Sequence, residues 1–411
     1  VTGALGDIRV LDLTRLLPGG FCSLLLADFG ADVVKVEDTG MGDYVRWAPP
    51  YYGSEEDQAL GTRSALYLAL NRGKRSIRLD LKSEGGREAL LRLARDHDVV
   101  LESFRPGVLD RLGCGYEALR EANPGLVYCA ITGYGQTGPN TSRAGHDMNY
   151  LGLNGLLGLT GEHDGRPISS AGQIADLGGG AMMAAFGVMA ALRERERSGE
   201  GQMVDVSMTD GSLSWLAMVA AQYLCDGDVP RRGTGSLNGG LLCYLPYEAA
   251  DGWVSCSALE PKFWRAFCDA VERPDLVEAQ FQPPGSDAWR QVAEIFKGRT
   301  RDQWRHFNDR HDAMIEPILD LDEALASELV SEREMVVELE QPSLGTVRQL
   351  GVPVKLSRTP GAVGRPAPAL GEHTEEVLRE AGFGPEEISA LISSGDVAGP
   401  NTAKSTTRFM G

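Results

Sequence analysis

Apolar positions along this chain alternate between two periods. Ile8–Leu13 reads as a strand. Pro18–Phe29 carries a helical repeat closed by Gly30, and Ala31–Glu37 returns to a strand pattern. That is a βαβ unit, which implies a parallel sheet. The alternation continues through a strand at Ile77–Leu81, a helix over 83–97 and strands over 99–102 and 126–131. A strand at Gln202–Met208 follows, then a long apolar helix, Thr209–Cys225. The fold class expected is α/β, with an open Rossmann-like sheet.

The pattern then changes. Asp226–Gly240, rich in Gly, Asp and Arg, reads as a linker. Residues 241–330 read as two strands followed mostly by helices, a smaller second domain. Met335–Leu339, Thr346–Leu350 and Val352–Leu356 read as antiparallel strands. Helices over 373–382 and 385–393 precede a polar tail, 394–411. Residues 38–65, with Trp47, Pro49-Pro50, Tyr51 and Tyr52, read as one long loop. Loops of that length inside a compact domain are usually functional or mobile.

Charge narrows the partners. The 411 residues carry a net charge of −18 and an isoelectric point near 4.9, which opposes sequence-blind nucleic-acid binding or attachment to an anionic membrane. The apolar runs read as too short or too broken to cross a bilayer. Seven scattered cysteines without a C-x-x-C argue for a reducing, cytoplasmic setting and against a zinc cluster. Gly133-Tyr134-Gly135-Gln136-Thr137-Gly138 fits G-x-G-x-x-G, but Pro139 and Asn140 follow where a dinucleotide site needs a helix.

Candidate chemistry centres on residues 144–180. His146 and Asp147 stand at the start of one expected helix, which runs through Leu157. Asp176 stands at the start of another, before Gly178-Gly179-Gly180 and the apolar run Ala181–Leu192. An ordinary N-cap explains Asp176 as well as a catalytic carboxylate does. The three glycines imply close backbone approach, to a ligand or to another element. The N–H of Asp147, at a helix start, can face a developing oxyanion. Glu260 precedes Pro261 and a helix with apolar Phe263, Trp264 and Phe267. Arg72-Gly73-Lys74-Arg75-Ser76-Ile77-Arg78 is dense in cations for so acidic a chain; it reads either as a solvated loop or as a phosphate-binding patch.

Taken together, Gly30-Ala31-Asp32-Val33-Val34-Lys35-Val36-Glu37, Arg72-Gly73-Lys74-Arg75-Ser76, Gly133-Tyr134-Gly135-Gln136 and Lys355-Leu356-Ser357-Arg358-Thr359-Pro360-Gly361 resemble the family III CoA-transferase superfamily. Gly145-His146-Asp147-Met148-Asn149-Tyr150, Leu237-Asn238-Gly239-Gly240 and Glu260-Pro261-Lys262-Phe263 resemble its α-methylacyl-CoA racemase branch. The resemblance implies a large CoA-binding domain from both chain ends (1–225 and 335–411), a small domain (226–334) and an interlocked homodimer. It makes His146 and Asp176 opposed proton carriers, Glu260 the acid paired with the histidine, and the Asp147 N–H a donor to the thioester oxygen. It places CoA, itself part of the substrate, against Asn71, Arg72, Lys74, Arg75, Leu79, Lys82, Arg105, Gly145 and Tyr150. No separate cofactor and no metal is expected. The activity implied is racemisation of a 2-methylacyl-CoA. The alternative is CoA transfer through an Asp176 anhydride, and a third reading is an acyl-CoA-binding scaffold without turnover. One departure stands out: Asp38 occupies a position where racemases often carry a CoA-contacting arginine.

Overall fold

The computed structural model describes residues 3–53 and 61–400. Its strands, in chain order, are β1 (Arg9–Asp12), β2 (Asp32–Glu37), β3 (Lys74–Leu79), β4 (Val99–Glu102), β5 (Val127–Thr132), β6 (Met203–Ser207), β7 (Tyr244–Ala249), β8 (Gly252–Ser257), β9 (Ile315–Ile318), β10 (Val336–Gln341), β11 (Gly345–Leu350) and β12 (Val397–Ala398). The large sheet has the order β12-β3-β2-β1-β4-β5-β6. It is parallel apart from β12, which pairs antiparallel with β3. This is the doubly wound order. Its connections change direction between β1 and β4, where open α/β sheets hold ligands beyond the carboxyl ends of the strands.

The chain divides into two compact units. One comprises residues 1–154, 172–214 and 331–411; the other comprises 155–171 and 215–330. The second unit therefore begins earlier than the expected boundary at 226. The helix expected over Thr209–Cys225 is broken into Met208–Leu213, a tight turn at Ser214–Leu216 and Ala217–Asp226. The stretch expected to be a linker has a local task instead: the Arg232 guanidinium donates to the carbonyls of Gly158, Glu162 and Gly165. Those bonds draw residues 155–171 into the second unit. That unit is closed by an aromatic core in which Tyr247 stacks on Phe296 at 4.4 Å and Phe296 stacks on Phe267 at 5.3 Å. Its sheet, β7-β8-β9, has one strand more than expected.

In the first unit, the stretch expected to be one long loop is partly built. Tyr44–Trp47 forms a tight helical turn, Tyr51 bridges to Ser64, and Ser64 caps a helix, Ala65–Asn71. Residues 54–60 lie outside the described residues. Val352–Leu356, expected as a strand, is irregular, and the polar tail supplies β12. The helix Ile174–Ser198 is also long and apolar enough to cross a bilayer by length and composition. The sequence pattern alone reads as too short, or too broken by Gly and Gln, for that. Of its most apolar window, 44% is buried within the chain.

The cations at 71–78 are interior groups, not a solvent-facing patch. Asn71 has no exposed surface and donates to the Tyr67 carbonyl. Arg72 makes a bidentate pair with Asp28 at 2.8 and 3.0 Å. Lys74 reaches Asn71 Oδ1 at 2.9 Å, the Gly20 carbonyl at 3.0 Å and Asp12 at 3.4 Å. Arg75 is shared by Asp32, Glu376 and Glu380. Leu79 is buried core facing Val397. Of the expected CoA contacts in this stretch, only Lys82 is exposed. The physical reason is sheet position. β3 lies inside the sheet, and a charge carried there persists only beside a counter-charge.

Asp12 is the shared counter-ion. Burial pushes its carboxyl upward, but Lys35 and Lys74 outweigh that and hold it below its ordinary value. Replacing it should leave the buried Lys74 ammonium without its counter-ion, while Lys35 keeps Asp43 at 2.8 Å. Asp12→Asn is expected to cost about 3–5 kcal/mol, measured as a lowered midpoint in urea unfolding.

Candidate functional site

The site is built where two helix beginnings meet. Helix Asp147–Leu153 is short, and His146 is its N-cap in extended backbone conformation. The His146 N–H donates to Asn149 Oδ1 at 3.0 Å, and the Asn149 N–H returns to the His146 carbonyl at 2.8 Å. The imidazole is exposed. Behind it, the buried Tyr150 hydroxyl donates to the Gly145 carbonyl, and Tyr150 packs edge-on to Tyr134 at 5.2 Å. A Cβ at Gly145 would stand 2.7 Å from the Tyr150 ring and 2.9 Å from the Tyr134 hydroxyl. Gly145 and Tyr150, expected as CoA contacts, thus hold the backbone that presents His146.

The second beginning is unusual. Gln173 adopts a left-handed φ of 48°, and Ile174–Met182 winds as a π-helix before continuing as the α-helix Met183–Ser198. Wide π turns are rare and concentrate at functional sites. The glycines that follow Asp176 serve another element rather than a ligand. A Cβ at Gly179 would stand 2.6 Å from the Met208 carbonyl, and one at Gly180 would stand 2.8 Å from the Met208 side chain. Asn154 ties the end of the His146 helix to the same neighbour, donating to the Thr209 carbonyl and to Ser212 Oγ at 2.7 Å.

Asp147 joins the two beginnings. Its carboxyl, 6% exposed, accepts the N–H of Ala175 at 2.6 Å and of Asp176 at 3.0 Å. The sequence reading valued the N–H of this residue; its side chain turns out to position Asp176. Asp176 is half-buried, and its pKa is raised from 3.8 to about 6. Burial is the main cause, the Asp147 charge adds to it, and His146 opposes it. The electrostatic influence of His146 on Asp176 places the two groups in one local field.

The remaining candidates are dispersed. Arg105 is exposed beyond the carboxyl end of β4, at the mouth of a cavity of about 230 Å³ lined also by Glu102, Asp110 and Gln136. Burial pushes the Glu102 carboxyl up to about 7. Glu260 belongs to the second unit, where it is exposed and its carbonyl accepts the N–H groups of Phe263 and Trp264. Sequence reasoning passed over Arg15, which lies beyond β1 and pairs with Asp38 at 2.8 Å. Its place directly after a parallel strand was the available signal.

The family model described as CoA-transferase family III matches residues 5–374. The chain belongs to that family. Among its relatives, the succinyl-CoA:mesaconate CoA-transferase of Haloarcula marismortui is 39% identical over 92% of this chain and 97% of its own. The mouse α-methylacyl-CoA racemase is 36% identical over 95% and 96%. Human succinyl-CoA:glutarate CoA-transferase is 31% identical over 96% and 90%. A solved CAIB/BAIF family protein from Brucella suis superposes with a TM-score of 0.79 and 31% identity, covering 93% of this chain and 100% of that one.

Two measurements test the electrostatics of this family III site. Asp176 binds its proton more tightly folded than unfolded, so stability falls as pH rises from about 4 to about 6. Asp176→Asn should therefore melt above wild type at pH 7.5, with the gap closing by pH 4. Asp147→Asn keeps an acceptor for the two N–H groups but removes a repelling charge. It should lower the Asp176 titration midpoint, read by carboxyl 13C NMR.

Proposed function

We propose that this chain interconverts the epimers of a 2-methylacyl-CoA by moving one proton off and onto the carbon next to the thioester. The observation that carries the reading is the Asp147 clamp, which sets a carboxyl titrating near 6 within the field of an imidazole. Racemisation needs two carriers, one protonated and one not, at the same moment. A carboxyl that changes state near neutrality suits that duty, because it both takes and returns a proton at small cost. The enolate formed between the two steps needs fixed donors, and the N–H of Asp147 leads a helix whose first N–H groups lack intrahelical acceptors.

The second reading is CoA transfer. It is favoured by the succinyl-CoA:mesaconate CoA-transferase relative at 39% identity. There the Asp176 carboxylate attacks the thioester carbonyl and expels CoA as thiolate, leaving a mixed anhydride. The thiolate attacks the aspartyl carbonyl and releases the first acid, and a second carboxylate displaces the thiolate to form a new anhydride. The thiolate then attacks the second acyl carbonyl to give the new acyl-CoA and free Asp176. That route uses Asp176 and has no duty for His146 in proton transfer at the α-carbon.

Incubation with either epimer of a 2-methylacyl-CoA in D2O separates the two. The expected result is deuterium at the α-carbon and loss of stereochemical purity, followed by mass spectrometry and chiral analysis. His146→Ala should slow exchange by roughly 10²–10⁴-fold. CoA appearing on an added free acid with no α-exchange would overturn the racemase reading in favour of transfer.

A further inference from the structure

We propose that Arg15 is a phosphate-binding residue for the nucleotide end of CoA, supplying the positive charge that position 38 lacks. The inference rests on the acyl-CoA reading above and adds a residue to it. Arg15 stands three residues past β1, beside the change of direction between β1 and β4 where this sheet type receives ligands. Its backbone N–H is held by Ser103 Oγ at 3.1 Å, on the segment that follows β4. The loop has no freedom to drift. Buried Lys35 donates to the Thr14 carbonyl at 3.0 Å, and buried Asp43 accepts the Leu16 N–H at 3.1 Å. Leu16 itself is held at a left-handed φ of 64°, a strain that persists only where the surroundings over-determine it and that recurs at ligand clamps.

The side chain, in contrast, reaches outward. It is 31% exposed, with one nitrogen on Asp38 at 2.8 Å and another on the Tyr44 hydroxyl at 3.2 Å. The guanidinium lies 5.1 Å from the Tyr44 ring and 5.9 Å from the Phe104 ring. A guanidinium has five N–H donors in a planar fork, so these two partners leave donors aimed at solvent. Arg15 is also the N-cap of the 13-residue helix Leu16–Asp28, whose positive end adds to the local field. Asp38 is committed elsewhere as well: it accepts the N–H groups of Gly40 and Gly42. It therefore acts as the post that aims Arg15. In an acidic chain whose cations at 72–75 are sealed in the interior, Arg15 is a positioned, solvent-facing cation at the ligand end of the sheet.

The experiment measures binding of CoA and of pantetheine, which lacks every phosphate, to the intact protein by calorimetry. Arg15→Gln is expected to weaken CoA by roughly 10- to 100-fold and to leave pantetheine unchanged. Arg15→Lys should recover part of the loss. Equal weakening of both ligands, or of neither, overturns the assignment. A wild-type protein that binds no CoA overturns the acyl-CoA reading itself, whereas normal wild-type binding with an unaffected Arg15→Gln overturns only this inference.

Discussion

The Asp147 carboxyl is the constraint on which the site depends. It is a buried acceptor that takes two N–H groups from the start of another helix, and a buried acceptor must be satisfied. By meeting that need it fixes the spacing between the backbone that carries His146 and the backbone that carries Asp176. The same charge keeps the Asp176 proton from leaving early. One group thus sets both the geometry and the acidity of its neighbour. The glycines and Asn154 do the complementary work of pressing both helices against Met208–Leu213, so the clamp closes on a rigid support.

A second layer of constraint lies beneath the sheet's ligand end. Asp12, Lys35, Asp43 and Lys74 share a buried cluster, and Glu37 takes Arg46 in a bidentate pair at 2.6 and 2.7 Å. Buried ion pairs contribute little net stability against apolar replacements, but they are intolerant of losing one member. Their value here is directional. Each pins a loop leaving a strand end, which is where the exposed groups that meet a ligand must be held still.

Much of this architecture was legible in the sequence. The βαβ periodicity of residues 8–37 and the strands near 99 and 126 survive within a residue or two, because apolar side chains dominate these buried strands even where Asp12, Lys35 and Glu37 interrupt them. His146 and Asp176 were legible as helix-leading residues, and the family resemblance gave them a role. What failed did so for stated reasons. A count of cations at 71–78 carries no information about burial, and the partners Asp12, Asp28 and Glu376 lie far away in sequence. The π winding after Gln173 leaves no periodic signature, and the close approach of Gly179 to Met208 joins elements about thirty residues apart in sequence. The break at Ser214 falls inside an unbroken apolar run, where the change from one compact unit to the next has no local marker.

The way the large unit is completed bears on how the chain is made. Its edge strand β12, two of the three carboxylates that share Arg75 (Glu376 and Glu380), and the carbonyl of Pro368 that receives Arg46 and Tyr67 all come from beyond residue 330. The other unit draws only on residues 155–330. Synthesis runs from the N-terminus and domains fold as units. During translation the inserted unit therefore has all its parts while the older segment still waits, with several charged side chains lacking their native partners. The ribosome thus releases a chain whose first-made portion is the last to settle.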